Sequence, residues 1–114
     1  MKITNRDHPI TKGVNDFVVT GEHHYNQYYK DPSFVFMINE SLDGWRYNNI
    51  EGDKHYDSRI GDRGFGPSCF SGWAYDYGKG RVCFMAPGHT LDVLMNPEFV
   101  KLQQNAVRWC LKQI

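Results

Sequence analysis

Three short stretches carry the side chains that could do chemistry. The first is Glu22-His23-His24-Tyr25, a carboxylate beside two imidazoles after the apolar run Phe17–Thr20. Such a set can hold a divalent metal such as zinc, or exchange protons near neutral pH. Successive side chains of an extended chain point to opposite sides, so at most one of the two histidines can join Glu22 at one site. The second is His89, which follows Pro87-Gly88 at the end of the apolar run Arg81–Ala86. Ligands of open α/β sheets bind beyond the carboxyl ends of strands, and His89 stands at such an end. The third is Cys69, which would offer a thiol nucleophile to a nearby histidine. No nucleophile elbow surrounds it, because "PSCFSG" runs straight into a strand. His89 and Glu22 are therefore the acid/base candidates, and His89, Glu22 and His24 the metal-ligand candidates. His8 precedes Pro9 and reads as a structural turn residue. Nothing singles out His55. Gly78-Lys79-Gly80 lacks the spacing of a phosphate loop and the helix that should come after it, so it reads as a turn.

Composition bounds what these residues can serve. The chain has 114 residues, which fits one domain. Acids and bases balance at 13 each, so there is no electrostatic footprint for nucleic acid. No apolar run approaches the length of a membrane-spanning helix, and "MKITNRDHPITKG" is too polar for a secretory signal. Cys69, Cys83 and Cys110 are an odd count with no motif spacing, which reads as reduced thiols in a cytoplasmic protein. Cys83 and Cys110 sit among apolar residues and read as core.

The elements that must position the chemistry are mostly strands. "MKITN" predicts a short strand, "DHPITKGV" a turn, and Phe17–Thr20 a second strand. Ser33–Asn39 is a continuous apolar run, expected as a strand covered on both faces. Residues 43–68 read as a long irregular loop, with one weak strand at Trp45–Asn49. Trp73–Ala86 reads as a hairpin turning at Gly78-Lys79, which pairs Trp73 with Phe84, Ala74 with Cys83 and Tyr75 with Val82. Both its faces are apolar, so it is expected in the sheet interior rather than at an edge. Extending the register puts Cys69 opposite Gly88 and Ser68 opposite His89. Asn96, Pro97 and Glu98 mark a helix start. Phe99, Leu102, Ala106, Trp109, Cys110 and Ile114 form its apolar stripe, widened by Val107 and Leu111.

Taken in order, these residues carry a resemblance. "DHPITKGVNDF", Glu22 with Tyr25, Trp73 with "YGKGRV", Gly88-His89 and "NPEFVKLQQNAVRW" resemble the C-terminal part of the trehalose-utilisation ThuA-like family. The resemblance implies an α/β fold: a partial flavodoxin-like, class I glutamine-amidotransferase-like sandwich, strand-rich, with a mixed sheet and a C-terminal helix packed on it. It implies a single domain over residues 1–114 that lacks the family's N-terminal half. It carries over Glu22, His89 and Tyr25 as site residues, and Trp73 as a packing residue. The family's usual Asp-Glu pair is Gly21-Glu22 here, so one carboxylate is replaced and two imidazoles come next.

The expected function is that of a carbohydrate-metabolism protein acting on or binding a glycoside or keto-sugar. Tyr25, His23 and Trp45 are the candidates for touching that ligand. The alternative is a non-catalytic sugar-binding or assembly module that keeps only half of the family fold. With several strands and one amphipathic helix, one sheet face lacks a cover. A homo-oligomer or a separate partner carrying the N-terminal half is expected there. No nucleic acid and no membrane is expected as partner.

Overall fold

The computed structural model describes residues 1–21, 28, 30–40 and 68–114, with backbone alone at Glu40, Ser68 and Cys69. The described elements are β1 (Lys2–Ile3), β2 (Val35–Glu40), β3 (Ser68–Tyr77), β4 (Gly80–Met85), the short helix α1 (Leu91–Leu94) and the longer helix α2 (Pro97–Cys110). The strands form one sheet in the order β1-β2-β3-β4, and every pairing is antiparallel. The expected mixed sheet is corrected accordingly. Each described strand pairs with the next described strand along the chain.

The β3–β4 hairpin has the expected register: Trp73 pairs with Phe84, Ala74 with Cys83 and Tyr75 with Val82. Gly78 takes the turn at φ +57°, which a residue without Cβ adopts at no steric cost. The position of the hairpin differs from expectation. β4 is the end strand of the described sheet, and its residues are half-buried. Apolar residues on both faces report what lies above and below a strand; they carry no information about its edge.

β2 and β3 are joined through two opposed irregularities. Val35 pairs with Trp73 and Met37 with Gly72, which leaves Phe36 as an extra residue in β2. Ile38 then pairs with Phe70, which leaves Ser71 as an extra residue in β3. The bulge turns Phe36 and Met37 into one core, where neither has any exposed surface. Gly72 makes room for this: a Cβ there would stand 2.7 Å from Phe36 Cε2.

α2 closes that core. Asn96 caps it by accepting from the Glu98 and Phe99 amides, and Phe99, Leu102, Ala106 and Trp109 are buried. Val107, Leu111 and Ile114 are exposed, so the stripe is narrower than expected. The start of the chain clips onto α2: the Asn105 carboxamide donates to the Ile10 and Lys12 carbonyls, and Glu98 accepts from the Asn15 amide. Cys83 and Cys110 pack against this core as free thiols. Burial and the neighbouring Cys110 push the Cys83 thiol up to about 12, so it is inert at neutral pH.

Two expected strands are corrected. Phe17–Thr20 is extended but not in the sheet. Phe17 exchanges two hydrogen bonds with Met1, and the Asp16 carboxylate accepts from the Ile3 amide. Ser33 and Phe34 lie in a 3-10 turn, Pro32–Phe34, capped by Asp31, and β2 begins at Val35. The weak strand expected at Trp45–Asn49 lies outside the described residues. Among the described residues, no helix is long and apolar enough to cross a membrane.

Candidate functional site

β2 and β4 are each antiparallel to β3, so they run parallel to one another. Their carboxyl ends therefore face the same side of the sheet. β2 delivers Asn39 there, and β4 delivers Ala86-Pro87-Gly88-His89. The last described β3–β4 bond runs from the Ala86 amide to the Ser71 carbonyl, 2.8 Å, just before Pro87. The expected placement of Ser68 and Cys69 opposite His89 and Gly88 is thus not part of the ladder. Their backbones pair with Glu40 and Asn39 of β2 instead.

Gly88 turns the chain out of the strand at φ +149°, a region that side chains rarely adopt. α1 comes next and brings Val93 back, 2% exposed, against Gly21. A Cβ on Gly21 would meet Val93 Cγ2 at 3.1 Å, so the chain passes α1 closely at this point. The result is a narrow pocket whose walls include Asn39, Gly88, His89, Val93, Val19 and Gly21. It has about 310 Å³ of empty space counting open solvent, but room for only about one water within its walls. His89 is exposed at this pocket, and Asn39 is 3% exposed. A solvated imidazole at the edge of an apolar recess can take up or release a proton and can hold a ligand oxygen.

Of the residues singled out from the sequence, His89 lies at this pocket. Glu22, His23, His24, Tyr25 and Trp45 lie outside the described residues; Gly21, which precedes Glu22, lines the wall. Among the described residues, no group of three His, Cys, Asp or Glu side chains converges in a way that could hold a metal ion. Sequence reasoning missed Asn39, α1 and Val93. Asn39 did leave a signal: it is the first polar residue of "VFMIN", at the carboxyl end of a strand buried on both faces.

A wider open depression lies beside His8, bounded by Arg6, Lys12, Asn105 and Arg108. Its histidine is committed to the fold. His8 Nδ1 accepts from the Ile10 amide at 3.2 Å, and its ring stacks on Phe36 and leans on Trp109 at centroid distances of 5.9 and 5.3 Å. Burial, then the Arg81 charge, holds His8 below the usual imidazole value. Size therefore does not select the site; the smaller pocket has the exposed imidazole. The expected turn role of His8 agrees with this geometry.

A family model described as ThuA, trehalose utilisation, matches residues 1–110. Neither the curated proteins nor the solved structures yield a significant match.

Proposed function

This chain belongs to the ThuA family of trehalose utilisation, and on that premise we propose that it acts on a glycoside or keto-sugar with His89 as the acid/base and Glu22 as its carboxylate partner. The observation that carries the reading is the position of His89, exposed at a pocket beyond the carboxyl ends of β2 and β4. A keto-sugar has acidic hydrogens on the carbons beside its carbonyl. The imidazole removes one as a base while the C–H electron pair forms the enolate C=C bond and the carbonyl π pair moves onto oxygen, and the resulting imidazolium can return the proton. A divalent metal such as zinc on His89, Glu22 and His24 belongs to the same reading, with Tyr25, His23 and Trp45 touching the sugar. So does a flavodoxin-like, class I glutamine-amidotransferase-like sandwich of which the described sheet and α2 form a part.

The test is hydrogen exchange at the carbons beside the carbonyl of a methyl 3-keto-glucoside in heavy water, monitored by NMR. The expected result is exchange with the natural chain and a loss of about a hundredfold or more in His89→Ala and in Glu22→Ala. No exchange above buffer with the natural chain defeats the reading.

A second reading, a binding or assembly module, is favoured by one surface feature. Val18, Leu91 and Met95 are 67%, 71% and 64% exposed on the segments that adjoin the pocket. Large exposed apolar side chains on neighbouring segments fit a contact with a second copy or another chain. Light scattering showing a dimer, with stabilisation by sugar and no exchange, would select this module. A monomer at micromolar concentration removes its homo-oligomeric form.

A further inference from the structure

We propose that Asn39 is the ligand-gripping residue of the His89 pocket, holding one sugar oxygen within its walls while the ring stays at the mouth beside His89. This deepens the sugar reading above and rests on it. The chemistry of the wall carries the inference. Of the described residues lining the pocket, Asn39 and His89 alone have side chains with hydrogen-bonding nitrogen or oxygen; the rest are glycine, proline or apolar. The α-ammonium of Met1, also at the wall, is committed to the Phe17 carbonyl at 2.7 Å. A pocket of this kind orients its ligand through its few polar groups.

Asn39 is suited to that task in three ways. It is 3% exposed, and no buried side-chain polar atom among the described residues lacks a partner, so its carboxamide is held in place. A carboxamide has two N–H donors and two acceptor lone pairs, which suits a hydroxyl that both gives and takes a hydrogen bond. It is also neutral, so it grips an oxygen without contesting the proton of His89. Within its walls the pocket has room for about one water, the size of a single hydroxyl or carbonyl oxygen. Asn39 at the end of β2 and the Gly88-His89 turn after β4 line the same pocket from the two strands that flank β3.

The experiment is an NMR titration of the natural chain, Asn39→Leu and Asn39→Ser with methyl α-glucoside, methyl 3-keto-α-glucoside, trehalose and the monodeoxy glucosides. Leu keeps the volume and removes the hydrogen bonds; Ser keeps a donor and an acceptor. The expected result is a loss of about ten- to a hundredfold in affinity for Asn39→Leu and partial recovery in Asn39→Ser. One deoxy sugar, the one missing the gripped oxygen, should bind the natural chain and Asn39→Leu equally. Equal affinity of the natural chain and Asn39→Leu for every sugar overturns the inference and leaves the sugar reading standing. So does a uniform loss that no deoxy sugar abolishes, because it marks a structural role. Should Asn39→Leu not fold, the same comparison with Asn39→Ser decides. A natural chain that binds none of these sugars overturns the sugar reading and this inference with it.

Discussion

His8 stands just before Pro9 and His89 two residues after Pro87, and they have opposite fates. His8 is fixed by a backbone amide, two aromatic rings and the charge of Arg81. His89 stands exposed at a pocket with its strand already ended. The difference lies in the backbone just after each proline. Pro9 begins a 3-10 turn whose N-cap is His8, so the imidazole becomes part of the backbone bonding. The β3–β4 bonding reaches Ala86, just before Pro87, and Gly88 then turns the chain outward. A histidine that completes a turn serves the fold, and one carried past a strand end can meet a ligand.

The strongest way to break this comparison is to exchange the two consequences. His89→Ala should lower sugar turnover by about a hundredfold or more and leave the urea midpoint nearly unchanged. His8→Ala should do the reverse: turnover per folded molecule is kept, and stability falls by about 1–3 kcal/mol through lost packing and an unpaired amide. Equal damage to stability from both variants would erase the distinction.

The wall behind His8 provides a second test. Phe36, on which His8 stacks, occupies the space that a Cβ on Gly72 would need. Gly72→Ala should cost about 1–3 kcal/mol by forcing that ring aside, and a denaturant melt reads it directly. An unchanged midpoint would mean that the paired irregularities around Phe36 and Ser71 adjust freely.

The smallest expected effect is the dependence on pH. His8 is held below its ordinary value of 6.5, first by burial and then by Arg81. Above that value both folded and unfolded chains keep it neutral, and its contribution is constant. Below it, the unfolded chain takes up a proton that the folded chain resists, so stability falls with acid until the folded value is passed. Urea midpoints at pH 7.5 and 5.5 should therefore differ more for the natural chain than for His8→Gln. Equal differences would show that His8 does not titrate on unfolding.

Much of the fold was legible because it is local. The β3–β4 register derives from a two-residue glycine turn and period-two apolar residues, and the observed pairs agree. The start of α2 derives from Asn96-Pro97-Glu98, where cap, fixed φ and charge act within one turn. His89 was legible as a residue at a strand end. The segment expected as a strand at Phe17–Thr20 stays outside the described sheet, and the bonds of Phe17 to Met1 reach across sixteen residues, beyond any local pattern. The end position of β4 in the described sheet was hidden because side-chain pattern reports faces and not neighbours.

The sequence by itself determined the hairpin, the capped helix, the turn at His8 and the placing of a histidine after Gly88. Each depends on dihedral preferences and hydrogen bonds that act within a few residues. Only the tertiary structure decided that β2 and β4 end on the same side, that Phe36 and Met37 turn into one core, and that Asn39 shares a pocket with His89. Those outcomes depend on which strand lies beside which, and pairing across the sheet is settled by packing the whole unit at once.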